Sequence, residues 1–224
     1  MNNSKLLKTF SYIFSIGVIV FIVLTMSKTD LPGIGIVKMV CLGVCGVICL
    51  FFLYLFVYCL VDNKNIDRLA DTDQYEQLIN YINKRVKQKL YLVPERMSFY
   101  NYYLLLSYLM LENDEKAEEL FEKEKRVDSF PVILYWKASY ELSKGIKENV
   151  ANYYEEFKLS HIISKYQTQY INVANSFECL YLYSQGKIEE AYKALENVNE
   201  RRIHLPATKK VLNIIKESVT EENL

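Results

Sequence analysis

Glycine, proline and histidine are scarce in this sequence, with 7, 4 and 2 copies among 224 residues. After Gly46 the only glycines are Gly145 and Gly186, which excludes glycine-rich loops for phosphates or dinucleotides from the rest of the chain. The two histidines, His161 and His204, fit no metal-ligand spacing on a helix. The carboxylates show no acid and base pair. We therefore expect no catalytic residue, no cofactor and no metal site, and we expect that the protein is not an enzyme.

The sequence also has no excess of positive charge. The chain has 27 basic and 27 acidic residues, which gives a formal net charge of zero at pH 7. Nonspecific binding of nucleic acid requires a strongly basic surface, because the phosphate backbone must be neutralised. Nucleic acid is therefore excluded as an expected partner.

Two long apolar runs are present near the beginning of the sequence, at residues 10–26 and 39–61. A membrane core roughly 30 Å thick needs about 20 helical residues, and the second run supplies them without a charge. The first run is short for a span, and Lys5 and Lys8 before it make a signal peptide the alternative, although no small-x-small cleavage site follows. Residues suited to a chain reversal separate the two runs. We predict that residues 1–61 form a transmembrane helical hairpin integral to a lipid bilayer.

Basic residues flank both runs almost equally, and a further cluster follows the second run: Lys84, Arg85, Lys87 and Lys89. Lysine and arginine are enriched on the cytoplasmic side of membrane proteins, so we expect both termini of this cell-membrane protein in the cytoplasm. A short connection at Asp62–Asn65 would keep the next helix, at about residues 73–90, near the leaflet. Residues 62–97 are thus predicted to form a juxtamembrane basic helix whose cluster contacts anionic lipid. The alternative is an ordinary solvated helix face.

Three of the five cysteines recur every four residues in the second run, at Cys41, Cys45 and Cys49, and so share one helix face. The five cysteines include no CxxC pair. Small side chains on one face favour close helix contact, which predicts packing against the first run or a homo-oligomer through the membrane helices. The alternative is acylation or redox sensing at Cys59, near the membrane interface.

After residue 97 the sequence has helical rather than strand periodicity. Apolar stripes pair across turn-forming residues at Asn113, Gly145 and Gly186, which are 32 and 41 residues apart. All four prolines fall between apolar stripes, where they can delimit helices without breaking them. The fold class is therefore predicted to be all-α, with antiparallel helix pairs over residues 98–224.

The segment from Tyr183 to Ala191 resembles the turn and the opening of the second helix in the tetratricopeptide repeat family, whose helix pairs recur about every 34 residues. In that alignment Gly186 takes the turn and Ala191 the close helix contact. Two earlier pairs are similar, but Glu112 stands where the turn glycine is expected and Val150 replaces the packing alanine. The resemblance implies a tetratricopeptide-like α-solenoid.

The resemblance also implies a scaffold that binds a protein or peptide on the concave surface of stacked helix pairs. Three aromatic residues are candidates for contact with that partner: Tyr102, Tyr135 and Trp136. We therefore expect a membrane-anchored, noncatalytic adaptor. The alternative is an accessory or immunity-type component of a peptide-export or membrane-active peptide system, in which the membrane helices form the working surface.

Overall fold

The computed structural model of the chain describes residues 34–88, 96–123, 131–160 and 167–222. These residues contain helices and turns, and no strand is found among them, which confirms the expected all-α class for the described part of the chain. The α-helices are α1 Ile34–Asp71, α2 Tyr75–Lys87, α3 Arg96–Met110, α4 Asp114–Lys123, α5 Val132–Ser143, α6 Val150–Leu159, α7 Gln167–Ser184, α8 Ile188–Ala194 and α9 Pro206–Glu222. Two 3₁₀ turns, Leu195–Asn197 and Glu200–Arg202, connect α8 to α9.

The chain divides into two compact units, Met1–Met97 and Ser98–Leu224. The first apolar run, residues 10–26, lies outside the described residues, and so does Lys89. The two-span hairpin therefore stays a prediction.

Helix α1 has 38 residues and is about 57 Å long at 1.5 Å per residue, against roughly 30 Å for a membrane core. Its stretch Gly46–Asp71 is long and apolar enough to cross a membrane, by length and composition. The predicted connection at Asp62–Asn65 is wrong, because the helix continues through that segment to its end at Asp71. The segment has neither proline nor glycine to stop a helix, and the following Ile66 and Leu69 are buried.

Helix α2 packs against α1 and lies within the segment predicted to be helical at about residues 73–90. Its buried side chains are Tyr75, Leu78 and Ile82, which fall on one helix face. The opposite face carries the exposed polar residues of the helix. This amphipathic pattern explains why a helix of 13 residues is held in place by packing rather than by intrinsic propensity.

Four helix pairs in the described residues turn through the same backbone corner. Each corner contains one residue with positive φ: Asp73 (55°), Glu112 (53°), Gly145 (81°) and Gly186 (74°). The N–H of that residue donates to the carbonyl three residues earlier, and the next N–H donates to the carbonyl five residues before it. The donor–acceptor distances are 2.9 to 3.3 Å. These bonds satisfy helix carbonyls that would otherwise lack a partner.

The corners share buried positions as well. Seven residues before the turn residue lie Ile66, Leu105, Ala138 and Cys179, and five residues after it lie Leu78, Ala117, Val150 and Ala191. All eight are at most 1% exposed. Val150 therefore occupies the buried position of the two alanines, and Glu112 adopts the backbone conformation of the turn glycines. The Asp73 corner is a fourth copy that the sequence analysis did not predict.

Within the second unit, α5 is the central helix. It packs against α6, α7 and α9, and its aromatic side chains also contact Tyr102 of α3 and Phe121 of α4. Nine of its twelve residues are buried. Lys137, Glu141 and Ser143 retain partial exposure. A helix buried on almost every face is surrounded by others, so α5 forms the core of this unit.

Replacing Glu112 with glycine is expected to stabilise the second unit by about 0.5–1 kcal/mol, because glycine adopts positive φ without the steric cost of a Cβ atom. Thermal unfolding of the full chain in detergent micelles, followed by circular dichroism, measures the change. Glu112→Ala is the matched control, since it removes the same charge but keeps Cβ, and no gain is expected from it. Equal stabilisation by both variants would show that charge rather than φ governs this position.

Candidate functional site

The first candidate site is a buried carboxylate on α1. Asp62 is 0% exposed, and its Oδ1 accepts hydrogen bonds from Tyr81 Oη at 2.7 Å and from Arg85 Nε at 3.1 Å. Its Oδ2 accepts a hydrogen bond from Arg96 Nη2. Arg96 also donates through Nη1 to Asn63 Oδ1. We call Asp62, Tyr81, Arg85 and Arg96 the Asp62 cluster.

Two aromatic rings lie against the Arg85 guanidinium, whose Cζ is 5.1 Å from the Tyr58 ring centroid and 4.9 Å from that of Tyr81. Arg85 Nη2 donates to Tyr81 Oη at 2.8 Å. Burial lowers the pKa of Arg85, but the contacts with Tyr81, Tyr58 and Asp62 raise it further, so its net direction is upward. The side chain stays a cation. One carboxylate therefore faces two guanidinium groups, and the Asp62 cluster has an excess of one positive charge.

The geometry of the Asp62 cluster fits a structural clamp between α1 and α2. Both carboxylate oxygens accept hydrogen bonds, as expected for a buried charge that must be paired. The partners of Asp62 are 19 to 34 residues away in the sequence, so sequence reasoning did not identify the cluster. The available signal was that Asp62 is the first charged residue after the uncharged run 39–61.

The four basic residues predicted to contact lipid have different environments. Arg85 belongs to the Asp62 cluster. Lys84 and Lys87 are exposed near the end of α2. Lys89 lies outside the described residues. Lipid contact stays a prediction, and among the described residues it depends on the two exposed lysines.

The aromatic residues predicted to contact a partner lie in packing contacts of the second unit. Tyr135 and Trp136 are 4% and 7% exposed. The Trp136 ring lies 4.9 Å from that of the half-buried Tyr102, and the Tyr135 ring lies 5.7 Å from that of Phe177. In this structure the two buried rings offer little surface to a partner, and their contact with one stays a prediction. Partner contact by Tyr102 stays a prediction.

A group of buried hydroxyls lies between α5, α7 and α9. We call these residues the hydroxyl cluster: Tyr135, Ser139, Ser176 and Thr208. Thr208 Oγ1 donates to Ser139 Oγ at 2.8 Å, and Ser139 Oγ donates to the Tyr135 carbonyl at 2.9 Å. Within the described structure the buried phenol oxygen of Tyr135 has no partner in hydrogen-bond geometry. Burial raises the pKa of Tyr135, and the neighbouring Thr208, Ser176 and Ser139 hydroxyls oppose that rise.

Cys179 lies in the same region and is 0% exposed. Burial, followed by the charge of Glu178, raises the pKa of its thiol from 9.0 to about 12. We expect Cys179 to resist maleimide at pH 8 in the folded chain and to react after unfolding in SDS, with mass spectrometry of the peptides as the measurement. Because the unfolded thiol ionises first, its contribution to folded-state stability is present below about pH 9 and falls as pH rises toward 12. Rapid labelling of the folded chain would contradict this burial.

The described residues contain no group of three or more histidine, cysteine, aspartate or glutamate side chains placed to hold a metal ion. Comparison of the chain with protein families, with curated proteins and with solved structures found no match. The function is therefore argued from the geometry of the chain itself.

Proposed function

We propose that this protein is a membrane-anchored adaptor whose helix pairs bind a protein or peptide. The observation that carries the proposal is the exposed apolar surface of α1. Ten large apolar side chains are 49% to 67% exposed there: Val44, Val47, Leu50, Phe51, Leu53, Tyr54, Phe56, Val57, Leu60 and Val61. Monomeric proteins in water rarely expose a continuous surface of this kind. Lipid can cover it, because hydrocarbon chains are as apolar as these side chains.

The four corners support the adaptor role. Helix pairs with a common turn and common buried positions are typical of repeat proteins, which bind their partners on an extended surface rather than in a closed pocket. The positive φ of Glu112 and the burial of Val150 are the support for including a tetratricopeptide-like arrangement in this proposal. A cytoplasmic location of the helix pairs follows from the positive-inside rule and forms part of the proposal.

Alkaline fractionation of cells that express the full chain tests the anchor. We expect the chain to stay in the membrane pellet after extraction with sodium carbonate. Release of the intact chain into the supernatant would refute the proposed anchor.

In-cell crosslinking tests the adaptor role. A photoreactive amino acid at Ile171 of α7, which is 55% exposed, is expected to form a discrete adduct with another protein. The same group at Leu50 of α1 is the matched control, and we expect no such adduct from it. Replacing residues 1–61 with an unrelated membrane hairpin should preserve the Ile171 adduct. An adduct that requires the original hairpin would favour the alternative in which the membrane helices form the working surface.

Neutralising Lys84 and Lys87 together is expected to weaken the attraction of α2 to anionic lipid by about 2 kcal/mol at most, since each basic residue near such a surface contributes about 1 kcal/mol. Hydrogen exchange of α2 in the full chain, reconstituted in nanodiscs with and without anionic lipid, measures the effect. Anionic lipid should slow exchange in the native chain and less so in Lys84→Gln/Lys87→Gln. The charge-matched control is Lys209→Gln/Lys210→Gln on α9, where both lysines are exposed. An unchanged lipid effect in the α2 variant would count against lipid contact.

A further inference from the structure

The last helix of the chain has an unexpected neighbour. In a stack of helix pairs, a helix that follows the α7–α8 pair should extend the stack by packing against that pair. Helix α9 does contact α7 and α8, but it packs as extensively against α5, the first helix of the preceding pair, as against those two helices together. Helix α9 thus lies across the first helices of two successive pairs. In a repeat protein, the first helices form the surface on which a partner binds. We call the surface of α5, α7 and α8 beneath α9 the α9 groove.

Helix α9 is an amphipathic helix that fills this groove with one face. Its buried side chains are Thr208, Val211, Leu212 and Ile215, at relative positions 0, 3, 4 and 7. Its other face carries the exposed Lys209, Lys210 and Asn213. Spacing of this kind is the signature by which a groove recognises a helix from another protein. The side chains with which α9 fills the groove therefore indicate which side chains a ligand helix needs.

The contact between α9 and α5 contains the hydroxyl cluster rather than apolar side chains alone. The pair formed by Thr208 and Ser139 is fully buried, and the Tyr135 phenol beside it lacks a partner in hydrogen-bond geometry among the described residues. When α9 separates from α5, water can bond to all of these hydroxyls. Opening this interface is therefore easier than opening an apolar interface of equal area, because the buried phenol regains hydrogen bonds.

The connection between α8 and α9 permits such opening. It runs over residues 195–205, includes two short 3₁₀ turns and is hydrogen-bonded to α7. Asn175 Nδ2 donates to the Asn197 carbonyl at 2.7 Å, and the Asn199 N–H donates to Asn172 Oδ1 at 2.7 Å. These bonds can persist while α9 moves away. Lys216 pairs with Glu200 of the connection at 2.7 Å, a contact that does not hold α9 on α5.

We propose that α9 is a displaceable, autoinhibitory occupant of the α9 groove, and that the partner of this groove is an amphipathic helix with a small hydroxyl side chain followed by aliphatic residues at positions 3, 4 and 7. This inference rests on the proposed adaptor role and specifies both its ligand class and its regulation. Helix α9 covers the groove in the absence of a partner, and a partner helix of matching pattern replaces it.

Native-state hydrogen exchange of the full chain in nanodiscs tests whether α9 opens by itself. We expect the amides of α9 to exchange at least tenfold faster than those of α5 and α7. Tyr135→Phe should slow the opening of α9 roughly tenfold, because it removes the buried phenol oxygen. Tyr140→Phe is the matched control on the same helix: its hydroxyl bonds to Glu118 of α4 at 2.9 Å, and its loss should not slow α9. If the amides of α9 exchange only when those of α5 and α7 also exchange, the proposal is overturned.

A disulfide lock tests the competition for the groove. The Ser139 and Thr208 oxygens are 2.8 Å apart, so cysteines at both positions are within reach of a disulfide. The probe is a fluorescein-labelled peptide of residues 206–222, with binding to full-length Ser139→Cys/Thr208→Cys measured by anisotropy. Reduced protein should bind it at least tenfold more tightly than oxidised protein. Equal binding to both forms, or binding to neither, would overturn the proposal. Neither hydrogen exchange nor peptide binding requires a cellular partner. Failure of the Ile171 crosslink would therefore refute the adaptor role without bearing on the displacement of α9.

Discussion

Replacing Asp62 with alanine is expected to destabilise the packing of α2 on α1 by about 3–5 kcal/mol, the usual cost of removing one partner from a buried ion pair. The variant leaves the Arg85 and Arg96 guanidinium groups in a site where Arg96 is only 7% exposed. Neither cation would retain the carboxylate that now lies between them. The repulsion between the two cations and their incomplete hydration therefore add to the destabilisation that the lost hydrogen bonds cause.

Hydrogen exchange of the α2 amides in the full chain measures this loss. Because 1.4 kcal/mol corresponds to a factor of ten, the expected acceleration is roughly 100-fold to 4,000-fold. Asp71→Ala is the matched control, since Asp71 is an exposed carboxylate at the end of the same helix and should change exchange by less than about 0.5 kcal/mol. Similar exchange in the two variants would show that the Asp62 cluster does not hold α2.

An apolar replacement of the whole ion group separates charge pairing from packing. Asp62→Leu combined with Arg85→Met and Arg96→Met removes all three charges and places apolar side chains at all three positions. Such replacements are often neutral or stabilising, because no charge then has to be desolvated. We therefore expect the triple variant to recover most of the protection lost in Asp62→Ala. Failure to recover it would indicate that the hydrogen bonds that Tyr81 and Asn63 make with these three side chains contribute more than charge pairing alone.

Local features of this fold could be predicted from the sequence. Gly145 and Gly186 end helices because positive φ is easy for glycine, and the apolar spacing around them predicts the paired helices. The turn predicted around Asn113 is also present, with Glu112 at a φ of 53°. The predicted connection at Asp62–Asn65 is wrong, because it rests only on a change from apolar to charged composition. A composition change without proline or glycine does not end a helix.

Long-range packing could not be predicted in the same way. The apolar residues of α5 extend around the helix, which indicates burial on every face, and Tyr135 and Trp136 are accordingly in the core. The identity of the covering helix depends on contacts between distant residues, such as Thr208 with Ser139, 69 positions apart. Helical periodicity carries no information on such pairings. The Asp62 cluster and the α9 groove both arise from contacts of this kind.

Phe177→Ala is expected to destabilise the second unit by about 3–5 kcal/mol, because it removes a fully buried ring from the core. The Phe177 ring centroid lies 5.0 Å from that of Phe157, 5.3 Å from that of Tyr154 and 5.7 Å from that of Tyr135. The substitution therefore leaves a cavity between α5, α6 and α7 and also removes three aromatic contacts.

Denaturant unfolding of the full chain in detergent micelles, followed by hydrogen exchange of α5 and α7, measures the loss and assigns it to the second unit. Ile171→Ala is the matched control on α7, since Ile171 is 55% exposed and its truncation should cost less than about 0.5 kcal/mol. Comparable losses in the two variants would contradict a core centred on Phe177. The same measurement bears on the α9 groove, because α7 forms part of it. If α9 is a displaceable helix held by that surface, Phe177→Ala should accelerate exchange in all three helices while α9 stays the fastest of them, whereas Ile171→Ala should leave all three unchanged.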